Sequence, residues 1–297
     1  MKLLKLVLVV ALMLLVMPQA MALKYTINGS LSDWGITDDD IRRGLNDTAH
    51  DPVQVGDENA WVPDVSTVKW VVEDNVDPDT PGWGTYYGVH IIGIGSSYTI
   101  YDEPLATRPD GTKVAQPYGG EPYDVEAIYL DEDSNYIYIA IIASKPAGST
   151  IAESTGDLAL NIDGDSTTGE YGYEYGVKIA DGTIWQVTDW EESIYLLDVP
   201  IYISSGTKVD GYTATIATRE LPIYEKNYED YNTNNFIIEM AIPKAALGNP
   251  SGLTLTQVHY AVSCGNDQIT VPEFLSILIP VGLVIGAVVY LRRSRRP

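Results

Sequence analysis

Basic residues are scarce in this chain, and so are cysteine, phenylalanine and histidine. The 297 residues hold 18 Lys+Arg against 41 Asp+Glu, with one Cys, two Phe and three His. A single cysteine excludes an intrachain disulfide framework and any metal site built on several thiolates. Nucleic acid is bound by Lys and Arg that neutralise phosphate, so a formal charge of −23 argues against that partner. The shortage is sharper away from the ends. Residues 1–22 contain two lysines and no acid, and residues 272–297 contain four arginines and Glu273 alone. The 249 residues between them carry 12 basic and 40 acidic side chains, a net −28.

Catalytic signatures are missing too. His50, His90 and His259 are isolated. No nucleophile elbow, H-E-x-x-H pair or phosphate-binding loop is present. Carboxylate pairs suited to glycoside hydrolysis exist in any chain this acidic, so they carry almost no information. The expectation is a protein that is not an enzyme, with no catalytic residue to name.

The two ends are apolar. Lys2 and Lys5 precede the unbroken apolar run 6–17, Pro18 ends it, and Ala20-Met21-Ala22 offers small residues at a cleavage site. Residues 1–22 therefore read as a secretory signal peptide. The run 274–291 is free of charge and is followed by Arg292, Arg293, Arg295 and Arg296. At ~1.5 Å per residue it reaches about 27 Å, enough for a thin bilayer. Flanking arginines stay in the cytoplasm, which places residues 23–271 outside the cell, at its surface and held by the plasma membrane.

Between the ends no long helical period is found. Tyrosine is abundant, at 21 residues, and β-branched and aromatic positions alternate between Gly, Asn, Asp and Pro. Strands are predicted over 67–72, 85–94, 123–130, 136–143, 157–162, 174–180, 183–187, 212–218, 236–242 and 254–263. Residues 131–135 form a polar hairpin loop, and Pro243–Gly248 forms one helical turn. Residues 37–64, 74–84 and 101–122 read as acidic loops. The fold class is all-β: a two-sheet antiparallel β-sandwich, jelly-roll-like, with long acidic loops, a signal helix and a C-terminal transmembrane helix.

The densest polar cluster runs from Asp163 to Glu174. Calcium takes six to eight oxygens, and Asp163, Asp165, Thr167, Glu170 and Glu174 are spaced to offer them from one turn. Position six of the loop is Thr168, where an EF-hand needs Gly. The alternative is a strand connection closed by Asp side chains on the backbone. Asp131, Asp133 and Asn135 repeat the pattern more weakly. Asn28-Gly29-Ser30 and Asn46-Asp47-Thr48 are N-glycosylation sequons.

Two resemblances add to this. Pro272-Glu273-Phe274, the apolar span and the Arg cluster resemble the PEF-CTERM sorting signal of archaeal surface proteins. That resemblance implies an archaeosortase as partner, removing the tail and passing the new C-terminus to a lipid anchor. The segment Ile27-Asn28-Gly29-Ser30-Leu31-Ser32-Asp33-Trp34 resembles the opening strand of DOMON-like and family 9 carbohydrate-binding-module-like sandwiches, and residues 124–140 resemble their central hairpin. In that group a D-x-D-x-x-T-G turn sits at a strand end, with calcium in some members.

Three functions fit. One is a cell-surface module that binds glycan or another extracellular ligand. The second is a structural envelope or matrix component, and the third an exported hydrolase. A binding module requires a Tyr/Trp platform, for which Trp61, Trp70, Trp83, Trp185 and Trp190 are the candidates.

Overall fold

A computed structural model describes residues 23–45, 61–74, 89–102, 106–114, 123–146, 148–221, 233–250, 257–265 and 267–271. The predicted signal peptide, transmembrane span and sorting motif, together with Asn46 and Trp83, lie outside these residues. Among the described residues no helix is long and apolar enough to cross a membrane.

The described chain is built almost wholly from antiparallel sheet. One sheet has seven strands: β1 (Lys69–Asp74), β2 (Val89–Ile94), β3 (Ser97–Asp102), β6 (Val125–Glu132), β7 (Tyr136–Pro146), β12 (Thr215–Leu221) and β13 (Thr233–Pro243), in the order β12-β13-β7-β6-β1-β2-β3. The second has six: β8 (Thr155–Asn161), β9 (Tyr175–Val177), β10 (Thr183–Glu192), β11 (Pro200–Thr213), β14 (Gln257–Val262) and β15 (Gln268–Val271), in the order β11-β10-β9-β8-β14-β15. A small hairpin pairs β4 (Ala106–Thr107) with β5 (Lys113–Val114).

The main core lies between the two large sheets. Ile128, Ile139, Ile141, Phe236, Ile238 and Met240 from one meet Leu158, Leu160, Ile184, Val258 and Tyr260 from the other. A second core covers the opposite face of the seven-stranded sheet. There Tyr129, Tyr138, Ala140 and Ile142 are buried under Tyr25, Leu31, Trp34, Ile36, Ile41 and Trp61. Residues 137–143 are apolar without a break because both faces of β7 are covered, the pattern of a central strand.

The segment that covers this face is not a strand. Residues 27–34 form turns and a short 3-10 helix, Ser32–Trp34, closed by Gly35 in the left-handed conformation. The expected opening strand is thus replaced by an irregular strap, with Trp34 stacked on Tyr25 at 4.1 Å. Gly29, at φ 78°, lies so close to β12 that a Cβ there would fall 2.8 Å from the Cβ of Arg219. Arg219 secures the strap by donating through Nε to Gly29 O at 2.7 Å and through both terminal nitrogens to Asp38.

The predicted loop 37–64 also holds a helix, α1 (Asp38–Leu45). Thr37 N donates to Asp40 Oδ2 at 2.7 Å, and Asp40 N donates back to Thr37 Oγ1 at 3.2 Å, a reciprocal cap. Three Asp in its first turn favour the positive end of the helix dipole. The turn predicted over Pro243–Gly248 is a 3-10 helix, Lys244–Leu247, ended by Gly248 at φ 77°.

Candidate functional site

The loop 163–174 connects β8 to β9, and the side chains expected to hold calcium do not gather around one point. Asp163 Oδ1 accepts from Asp165 N at 2.8 Å. Asp165 Oδ1 accepts from Thr167 N at 2.9 Å and Thr167 Oγ1 at 2.6 Å, which holds the Asp165 carboxyl below its usual range. Glu170 turns away and accepts from Trp190 N on β10. Only Asp163 and Glu174 meet, both at the Thr168 hydroxyl, which lies 2.9 Å from Asp163 Oδ2 and 2.6 Å from Glu174 Oε1. Glu174 Oε2 accepts from Ile162 N at 2.9 Å. Burial raises the Glu174 pKa against these bonds. Among the described residues no group of three or more His, Cys, Asp or Glu side chains is arranged to hold a metal. The loop closes on itself through side-chain-to-backbone bonds, the arrangement of an Asx-stabilised connection.

The weaker pattern at 131–135 is likewise committed to the fold. Asp131 Oδ2 accepts from Lys24 Nζ, from the Tyr25 hydroxyl and from Thr67 Oγ1, tying the strap to the end of β6. Asp133 Oδ1 accepts from Asn135 N and Tyr136 N and shapes the hairpin, while Oδ2 accepts from the Tyr138 hydroxyl.

The tryptophans divide between two faces. Trp61 and Trp70 belong to the covered core under the strap, as does Trp34, and none of the three is available as a platform. Trp185 and Trp190 stand on the outer face of the six-stranded sheet with Tyr171, Tyr173, Val187 and Ile203. Trp190 is buried and Trp185 half-buried. Gly176 makes room for this cluster, because a Cβ there would lie 2.6 Å from Trp190 Cη2 and 2.9 Å from Ile203 Cδ1. Trp185 Nε1 donates to Thr183 Oγ1 at 2.9 Å, and the Lys178 ammonium lies 5.1 Å from the ring.

Tyr171 was not a candidate in the sequence, yet its backbone is the most unusual of this face. Its φ is 56° and that of Gly172 is 83°, with Tyr173 N donating to Glu170 O at 3.1 Å. Two successive positive φ values define a tight turn whose first position normally takes Asn, Asp or Gly. An aromatic residue there is held at a cost of about 1 kcal/mol or more. The strained turn lays the Tyr171 ring against the aromatic cluster, half-exposed, with its hydroxyl on the Glu192 carboxylate. The signal available in the sequence was Tyr171-Gly172, a large residue in a turn position.

His259 is buried on this sheet, 5.5 Å from the Tyr173 ring, with Nδ1 3.1 Å from Thr270 Oγ1. Burial lowers its pKa to about 4, so it is neutral at pH 7. Asn28 is exposed, and its Oδ1 accepts from Ser30 N at 2.8 Å. Cys264 is half-buried beside the main core.

Compared with known proteins, the chain matches no family profile and no curated sequence.

Proposed function

We propose that the chain is an exported cell-surface protein whose jelly-roll-like β-sandwich, held to the membrane by its C-terminal tail, binds extracellular glycan on the outer face of the six-stranded sheet. The observation that carries this reading is Tyr171: its strained turn lays a half-exposed aromatic ring against the cluster of Tyr173, Trp190 and Ile203 that Trp185 also packs on, with Glu192 at its hydroxyl. Aromatic rings stack on the apolar faces of sugars, and a carboxylate accepts from sugar hydroxyls. The export signal at residues 1–22, the span at 274–291 and the arginines after it support the surface location. Processing by an archaeosortase at Pro272-Glu273-Phe274 rests on the resemblance of the tail. The reading is of a binding protein, not an enzyme, and it does not require calcium, because the loop 163–174 is closed by its own hydrogen bonds.

Affinity electrophoresis of the full-length protein tests it. Native gels containing envelope polysaccharide should retard the wild type and leave the Tyr171→Ala/Trp185→Ala double variant unretarded. Equal mobility of the two would refute the site and favour a structural envelope component.

A further inference from the structure

A cleft of about 380 Å³ lies where the six-stranded sheet meets β12 of the seven-stranded one, walled by α2 (Ile151–Ser154), the β9–β10 turn and β12. Its volume falls near the lower end of the ~300–1,000 Å³ range of binding pockets. Its walls are fixed by backbone. Ala214 N donates to Gly182 O at 2.8 Å, and Gly182 has a φ of 71°. A Cβ at Gly182 would fall 2.5 Å from Ala214 O, so the turn can close on β12 only through glycine. A capping box holds α2: Thr150 N donates to Glu153 Oε2 at 2.8 Å, and Glu153 N donates back to Thr150 Oγ1 at 3.2 Å. A cleft built this way is formed before any ligand arrives, which lowers the cost of binding.

The lining is mixed. Ile151, Ile179 and Ile216 supply aliphatic surface at the margin of the main core, and Thr155, Thr218 and Asp181 supply polar atoms. Thr155 is only 5 % exposed, and its hydroxyl has no hydrogen-bond partner among the described residues. A buried hydroxyl in that state costs free energy until a polar group reaches it, and the cleft that Thr155 lines is the way in. The Thr218 hydroxyl is likewise unpartnered among those residues. Asp181 Oδ1 accepts from Thr183 N at 2.9 Å and from Thr183 Oγ1 at 2.6 Å, which leaves Oδ2 open. Those bonds, and then Lys208 and Lys178, keep the Asp181 carboxyl below its usual range. It is an ionised acceptor whose charge the two lysines partly offset.

These groups define the chemistry of an occupant. An ionised carboxylate accepts hydroxyl protons and repels anions. Threonine hydroxyls donate and accept, as the hydroxyls of a sugar do. Aliphatic side chains cover the C–H faces of a sugar ring. A cation finds one carboxylate here, already bonded to Thr183 and faced by two lysines. We propose that this cleft binds a neutral sugar unit, its ring against Ile179 and Ile216 and its hydroxyls bonded to Thr155, Thr218 and Asp181. The site is separate from the aromatic face at Tyr171 and does not rest on it.

The test uses full-length protein in detergent carrying Tyr171→Ala/Trp185→Ala, so that the other face is removed. Saturation-transfer NMR titrations are run with glucose, galactose, mannose and maltose, and with glucuronate and glucosamine as charged counterparts. At least one neutral sugar should bind, and both charged ones at least tenfold more weakly. Thr155→Val and Thr218→Val remove a hydroxyl and keep the side-chain shape; each should weaken that sugar severalfold. Ile216→Trp, which fills the cleft, should abolish binding. Urea unfolding checks each fold, and the valine variants carry the test if Ile216→Trp does not fold. The proposal is overturned if no neutral sugar binds, if a charged one binds as tightly, or if the valine variants bind like their parent. The reading of Tyr171 would stand in each case, because that face is absent from the protein tested.

Discussion

Trp34 and Glu239 are 205 positions apart, yet the Trp34 indole donates a 3.0 Å hydrogen bond to the Glu239 carboxylate at the centre of β13. Asn28 N and Gly29 N donate to the other oxygen at 2.8 and 2.9 Å. One fully buried carboxylate therefore matches three donors of the strap and fixes it across the seven-stranded sheet. The strap turns what would be a two-layer protein into one with covered aromatic residues on both sides of β7.

Removing that acceptor is expected to be severe. Glu239→Ala leaves two buried donors unmatched, Gly29 N and Trp34 Nε1, at about 1–3 kcal/mol each, so a loss of about 2–6 kcal/mol is expected in urea unfolding. Burial raises the Glu239 pKa despite the donors. The folded form then holds its proton more tightly than the unfolded chain. Its contribution is complete below the unfolded carboxylate value and is lost as pH rises through the folded pKa. Glu239→Gln should flatten that part of the pH–stability profile; an unchanged profile would show that the strap does not depend on the carboxylate.

His259 gives the opposite slope. Its folded pKa of about 4 lies below the ordinary value of 6.5, so the unfolded chain takes up the proton first. Stability from the neutral, buried imidazole is present above pH 6.5 and falls by roughly 3 kcal/mol as pH drops toward 4. Comparing wild type and His259→Gln by urea unfolding at pH 7 and pH 4.5 isolates this part. The gap between them should shrink at the lower pH, and a gap that stays constant would exclude His259 as its source.

Much of this architecture is legible in the sequence, for reasons that residues 123–143 make plain. Alternating and continuous apolar runs place β6, β7, β8, β13 and β14 within a few residues of their observed limits, because burial on a pleated sheet dictates them. Of the long β11 only residues 212–213 fall in a predicted strand, since from Ser204 onward most of its side chains are exposed and polar. α1 is hard to read from the sequence because it spans only eight residues, includes Gly44 and carries two apolar side chains, Ile41 and Leu45. The acidic loop 163–174 stands out in the sequence as a cluster, but spacing alone does not say that Asp165 turns to Thr167 and Glu170 to Trp190. The strain at Tyr171 is not legible in the sequence, because it is a property of the backbone and not of the side chain.

Calcium should act on this protein only as a screening ion. With the loop closed by its own bonds, calcium and magnesium at matched ionic strength should raise the melting temperature equally. Asp165→Asn should lower the melting temperature slightly through the weakened Thr167 bonds and leave the cation response unchanged. A calcium-specific rise that Asp165→Asn abolishes would restore a metal site at Asp163, Asp165, Thr167, Glu170 and Glu174.

Location and processing are read together. Protease added to intact cells should degrade residues 23–271, and intact-mass analysis of the mature protein should show the chain ending near Pro272. Protection of the domain would contradict its placement outside, and retention of Arg296 would contradict removal of the tail.

The central claim, glycan binding at Tyr171 and Trp185, is tested most directly by isothermal titration of full-length protein in detergent with soluble fragments of envelope polysaccharide. Wild type should bind. Tyr171→Ala and Trp185→Ala should each weaken binding about tenfold, ~1.4 kcal/mol, while Trp61→Phe, under the strap, should leave it unchanged. No heat from the wild type, or equal affinity in all four proteins, would contradict the account.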